Sequence, residues 1–135
     1  MYSNILVPIA LDNEDDRVAE AIAIAKVLAS DGAKITLLHV VEAVPSYAIS
    51  YISADILTAT RKGIEAEMAR LASEIGADSV VIEGHSGRSI LDYAEDHGSD
   101  LIVIASHRPG MQTLLLGSTA THVVRHAQCA VHVLR

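Results

Sequence analysis

The chain contains no phenylalanine, no tryptophan and a single cysteine, Cys129, in 135 residues. Without large aromatics, its core has to be assembled from Ile, Val, Leu, Ala and Met, and the supply is ample, since 50% of the residues are apolar. One cysteine cannot close an internal disulfide, so nothing in the sequence asks for an oxidising compartment. Basic residues are also scarce: 10 Lys and Arg stand against 17 Asp and Glu, a net charge of −7. That balance argues against a nucleic-acid binder, which needs Lys and Arg to displace counterions from phosphate, and against a polybasic membrane anchor. No apolar run reaches the ~18 residues of a membrane span. The opening MYSNILVPIA lacks the basic start and small-residue cleavage site of a secretion signal. These absences together lead us to expect a cytoplasmic protein. No repeat, low-complexity tract or linker interrupts the chain, and its length predicts one domain over 1–135.

What is present alternates between two periodicities. Short apolar runs occupy Asn4–Ile9, Lys34–Val41, Ser79–Glu83, Leu101–Ala105 and Ala130–Leu134. Between them lie helical stripes. Asp15–Ser30 carries Val18, Ala21, Ile22, Ala25, Leu28 and Ala29 on one face, with Asp31-Gly32 as a stop. Ala54–Ile75 carries Leu57, Ile64, Met68, Leu71 and Ile75 and ends at Gly76. Ser86–His97 and Ser118–Ala127 complete the set. Pro45–Ser53 shows no period and reads as loop or irregular helix. The apolar runs are nearly continuous rather than alternating, so both faces of each strand are buried. The fold class this predicts is α/β, a doubly wound five-stranded parallel sheet with helices on both faces. Such sheets bind ligands beyond the carboxyl ends of the strands, where the winding reverses.

One connection is out of scale. SHRPGMQTLLLG, between LIVIA and the last helix, is about twice the usual length of such a loop. It ends in Gly117-Ser118-Thr119 at a helix start, where free amides and the positive end of the helix dipole form an anion site. The competing reading makes Ser118 an ordinary N-cap.

The segment SHRPGMQTLLLGSTATHVVRHAQCAVHVLR, with ILVPIALD, ITLLHVVE and SDLIVIASH before it, resembles the universal stress protein family over the whole chain. The resemblance implies a Rossmann-like α/β fold of the adenine nucleotide alpha hydrolase type and a small regulatory protein. Its implied ligand is ATP, with Mg or another divalent cation. Carried over by position, Pro8 and Ala10 would shape the pocket beside base and ribose, and Asp12 would accept from a ribose hydroxyl. The backbone of Val40 would face the adenine edge. Ile104, Ala105 and Ser106 would lie along the nucleotide, and Gly117, Ser118 and Thr119 would hold phosphates. His107, Arg108 and Gly110 are loop candidates, Arg108 because a guanidinium matches phosphate geometry. The family's ATP-binding pattern is G-x2-G-x9-G-[S/T]. Here Gly117-Ser118 supplies its last pair, Ala105 stands at the first glycine, and the second is lost in a one-residue contraction beside Arg108-Pro109-Gly110. The departures resemble a sub-branch with an SHRPG loop and leave open a family member that acts through protein contacts alone.

Other features carry less. Asp12, Glu14, Asp15 and Asp16 read as helix-cap and dipole partners, with a cation site as the alternative. His122 and His126 read as surface or packing residues, since no Glu or Cys spacing completes a metal set. His39, inside an apolar strand, reads as a hydrogen-bonded core histidine, and Cys129 as a small buried filler. No Walker lysine or kinase signature is present, so at most slow ATP hydrolysis is expected. A phosphorelay receiver would need Asp where the third strand ends in Glu83-Gly84. A flavin carrier would need a hydroxyl-rich first loop in place of ALDNEDD. The apolar last strand, CAVHVLR, should lie at a sheet edge, and pairing with its twin in a homodimer would cover it. Members of the family often pair this way. Tetramers would use other surfaces, and the regulatory partner, such as a transporter or a signalling protein, is not specified by the sequence.

Overall fold

The structure, a computed structural model, describes residues 1–11, 15–106 and 117–135. Its elements are β1 (Tyr2–Pro8), α1 (Asp15–Leu28), β2 (Ala29–Val41), α2 (Ser46–Ile49), α3 (Ala54–Ile75), β3 (Asp78–Glu83), α4 (Ser86–Asp96), β4 (Leu101–Ala105), α5 (Ser118–His126) and β5 (Ala130–Leu134). The five strands form one sheet in the order β3-β2-β1-β4-β5, every pair parallel. The chain therefore winds outward from β1 through β2 to β3, then returns to the other side of β1 for β4 and β5. The reversal falls between β1 and β4, and it opens a crevice at their carboxyl ends.

Side-chain alternation divides the core between the two faces. Ile5, Val7, Ile9, Leu37, Leu101 and Val103 pack toward α1 and α3 with Ala21, Ile22, Ala25, Met68 and Ala72. Leu6, Leu38, Ile102 and Ile104 pack toward α4 and α5 with Ile90, Ala94, Ala120 and Val123. Ile5, Leu6 and Val7 on β1 have no accessible surface. Each such residue contributes about 1.5–3 kcal/mol relative to exposure. The central strands show the two-sided burial that the continuous apolar runs predict, whereas β3 and β5, at the sheet edges, hold no buried residue because each has a neighbour on one side alone.

Element boundaries differ from expectation in one instructive place. Asp31-Gly32 does not end the first helix in a loop. The helix stops at Leu28, and Ala29 already pairs with Tyr2 in β2. The register then jumps, from Tyr2↔Ala29 to Asn4↔Lys34, so the extra residues of β2 bulge out. Gly32 takes φ +77° within that bulge, a conformation that suits a residue without a Cβ. The expected stop signal is thus a strand irregularity. Pro45–Ser53, read as loop or irregular helix, contains the short α2. The long α3 begins as its sequence suggests, with the Ser53 hydroxyl accepting from the Ile56 amide at 3.1 Å. It ends at Gly76 in the left-handed conformation.

The crossover that brings the chain back to β4 is pinned at its lower end by Asp100. Its carboxylate accepts from the amides of Ser3 (2.9 Å) and Asn4 (3.0 Å) and from the Ser3 hydroxyl (3.0 Å). The Asp100 amide donates in turn to the Asn4 carbonyl at 2.9 Å. Partial burial opposes ionisation here, but the hydrogen bonds from Ser3 and Asn4 outweigh it and hold the carboxyl below its ordinary range. Because the folded-state value is depressed, the stabilisation is present above the unfolded carboxylate value of about 3.9 and is lost as pH falls through the folded value. Asp100→Asn is expected to cost about 1–3 kcal/mol at neutral pH. The gap from the parent should close progressively in acid, as measured by denaturant unfolding over a pH series.

Candidate functional site

The carboxyl ends of β1, β2 and β4 come together with the amino ends of α4 and α5 around a cleft of about 460 Å³. β1 and its extension contribute Pro8, Ile9, Ala10 and Leu11, and β2 contributes Leu38, His39, Val40 and Glu42. β4 supplies Ile104 and Ala105. The helices add Ser86, Ile90 and Thr119. The cleft thus sits at the reversal of winding, walled by apolar strand ends and rimmed by the polar starts of two helices.

Parallel pairing sets the strand ends abreast, Pro8 opposite Leu38. Beyond the end of β1, the Ile9 amide donates to the Leu38 carbonyl at 2.7 Å. His39 Nδ1 lies 2.7 Å from the Ile9 carbonyl oxygen, so this nitrogen carries the proton and donates. His39 is therefore hydrogen-bonded as expected, but it is half-buried at the cleft wall rather than enclosed in the core. On the far side, the Leu134 carbonyl accepts from the Ser106 amide at 2.7 Å and from Arg17 Nη1 at 3.3 Å, tying β5 to the end of β4.

The start of α5 corrects the simpler reading of Ser118. The N-cap residue is Gly117, and Ser118 is the exposed first residue of the helix. Among the described residues no side chain caps this helix or accepts from its leading amides. Gly117 has φ −63° and ψ 159°, ordinary extended backbone that any residue adopts. What glycine contributes here is the missing side chain, not conformational freedom. Its amide donates to the Ser106 carbonyl, which draws the helix start against the end of β4. The Ser106 hydroxyl is enclosed and has no hydrogen-bond partner among the described residues. The Thr119 hydroxyl, expected to face phosphate, is 3.0 Å from Ser86 Oγ and retains further hydrogen-bonding capacity.

Of the residues singled out by sequence, Pro8, Ala10, Val40, Ile104, Ala105 and Thr119 line the cleft. Ser106, Gly117 and Ser118 follow directly on its walls. Asp12, His107, Arg108 and Gly110 lie outside the described residues, as does Glu14 of the acidic cluster. Sequence reasoning missed Glu42 and Ser86. Their signal was available: each is a polar residue where a strand ends or a helix begins, on the edge where a doubly wound sheet binds. Cys129 is half-buried rather than fully enclosed, and burial pushes its thiol up from the ordinary value. His122 packs on α4: a Cβ placed on Gly87 would come within 2.9 Å of its ring. Among the described residues no group of three or more His, Cys, Asp or Glu is arranged to hold a metal ion. Nor is any helix among them long and apolar enough to cross a membrane.

Comparison with known proteins agrees with this architecture over its whole length. A sequence model described as the universal stress protein family matches residues 1–135. Universal stress protein A homolog 2 of Coxiella burnetii is 35% identical, with 99% of this chain and 95% of that protein covered. Universal stress protein G of Escherichia coli O157:H7 is 32% identical, with each chain fully covered (100%). Among solved structures, the universal stress protein UspA from Lactobacillus plantarum superposes with a TM-score of 0.81 at 28% identity, covering 99% of this chain and 98% of that one. More distant structures of the same fold include complexes with cAMP, with AMP (Arabidopsis thaliana) and with dAMP (Archaeoglobus fulgidus), at TM-scores of 0.66, 0.62 and 0.62. Fold and sequence agree, and the chain belongs to the universal stress protein family.

Proposed function

We propose that the chain is a regulatory protein that binds an adenine nucleotide, ATP with a divalent cation in the fullest form, in the cleft between β1 and β4. The observation that carries this reading is the amino end of α5 beside that cleft, which no side chain of the described residues caps. Its free amides and positive dipole end suit a phosphate. The enclosed Ser106 hydroxyl next to Gly117, without a hydrogen-bond partner among the described residues, supports a polar ligand at the same place. The apolar strand ends suit a base, with the Val40 backbone as its edge contact, and the complexes of distant relatives with cAMP, AMP and dAMP agree in ligand class. The divalent cation would arrive on the polyphosphate. The titratable side chains of the described lining are His39 and Glu42, and His39 Nδ1 is committed to a backbone carbonyl. That pair is not a catalytic set, so the reading is of a sensor whose ligand favours one conformation or assembly over another and thereby its contact with a partner protein.

Gly117 offers a clean test, because its backbone accepts a side chain without strain. Gly117→Val should fold normally and weaken AMP and Mg-ATP binding at least about tenfold by calorimetry, a loss of about 1.4 kcal/mol. Unchanged affinity, or no binding by the parent at about millimolar nucleotide, would contradict the reading and favour a family member working through protein contacts alone. Ser106→Ala, by contrast, should leave the ligand-free protein within about 1 kcal/mol of its parent stability or raise it, since the lost hydroxyl has no partner among the described residues.

The assembly proposed with this function is a homodimer through β5. That strand closes one edge of the sheet, with β4 as its neighbour. Next to it Ala23, Ile24, Val27 and Leu28 of α1 form an apolar surface with His132, and Val27 is 83% exposed. An open edge flanked by apolar side chains is the sort of surface a symmetric copy covers. Val27→Glu is expected to shift sedimentation from dimer to monomer. A parent protein that sediments as a monomer would refute the assembly.

A further inference from the structure

Two helices present their amino ends to the cleft, and they are not equivalent. The leading amide of α4, that of Ser86, donates to Glu42 Oε1 at 3.2 Å. The leading amides of α5 have no side-chain acceptor among the described residues. Each helix start carries roughly half a positive charge. On α4 that charge is answered by a full carboxylate of the chain's own, placed on the cleft wall just after β2. On α5 no side chain of the described residues answers it. The two starts are tied together by the Ser86–Thr119 hydroxyl contact at 3.0 Å, and side-chain-free Gly87 lets His122 of α5 pack closely on α4. Their relative position is therefore set by the protein before any ligand arrives.

We propose that Glu42 is the specificity-determining residue of this cleft, fixing both the direction of the nucleotide and the charge it can carry. By occupying the start of α4 with a built-in anion, it denies that site to phosphate and leaves α5 as the single attractive end. The carboxylate stays exposed, with one oxygen engaged by Ser86, so it repels every further negative charge in the same cleft. The ligand class favoured is a nucleoside monophosphate or a cation-neutralised polyphosphate, and free polyphosphate is penalised. The inference rests on the nucleotide reading above and deepens it.

The test compares adenosine, AMP, metal-free ATP and Mg-ATP by calorimetry on the parent protein, Glu42→Gln and Glu42→Lys. Gln keeps an oxygen able to accept from the Ser86 amide, so the start of α4 survives; thermal unfolding checks this. Glu42→Gln is expected to leave adenosine within about twofold, tighten AMP about threefold and metal-free ATP about tenfold, with a smaller gain for Mg-ATP. Glu42→Lys should exaggerate the same order, and added salt should shrink every gain, because the charge is exposed. An equal change for all four ligands, adenosine included, would overturn the proposal and make Glu42 a contact to base or sugar. Unchanged affinities for all four would reduce it to a helix cap. If the parent binds none of them, the nucleotide reading itself fails and this proposal falls with it.

Discussion

Two-sided burial of β1 is the constraint on which the rest of this molecule depends. A strand whose Ile5, Leu6 and Val7 are all inaccessible needs a layer on each face and a neighbour on each edge. The chain supplies them by laying β2 on one side and β4 on the other. It cannot do so without crossing back once, and the crossing leaves β1 and β4 diverging at their carboxyl ends with α1 and α5 leaving to opposite faces. The cleft is thus a consequence of how an aliphatic chain closes its core. With no Phe or Trp to fill large volumes, the layers are packed by Ile, Leu, Val and small alanines, and Met68 fills the space under α3.

Among the described residues, the chemistry of the cleft follows from backbone more than from reactive side chains. Its walls are strand ends, its polar atoms are chiefly carbonyls, amides and hydroxyls, and its one carboxylate among the described residues is spent partly on a helix start. Such a site suits recognition and holding. Leading amides that no described side chain caps, an enclosed hydroxyl beside them and apolar walls at the other end support the proposed ligand with an anionic tail and a flat apolar head. The same architecture explains how binding could be felt elsewhere. Ser106 touches both the helix start and, through the Leu134 carbonyl, the final strand. A ligand seated at α5, as proposed, would act on the same hydrogen bonds that position the sheet edge.

Much of this was legible in the residues. The continuous apolar runs gave away the two-sided central strands, because burial on both faces leaves no polar alternation to write into the sequence, but did not separate them from the edge strands β3 and β5, which hold no buried residue. Gly117-Ser118-Thr119 after LIVIA marked a helix start at the binding edge, although which residue caps the helix depended on backbone angles that no residue type dictates. Two things were not legible. Asp31-Gly32 has the composition of a helix stop and serves as a bulge, since the pairing of Tyr2 with Ala29 captures the chain before the glycine. Glu42 and Ser86 lie 44 positions apart and meet only through the parallel register of β2 and β3, a long-range consequence that local patterning does not encode.

The central claim is that the amides opening α5 receive a phosphate, and amide chemical shifts read it residue by residue. In a ¹⁵N-labelled sample titrated with AMP and then Mg-ATP, the account predicts saturable shifts at Ser118, Thr119 and Ala120 larger than those at the opposite end of the sheet. Shifts confined to other surfaces, or none at those amides while nucleotide binds, would contradict it.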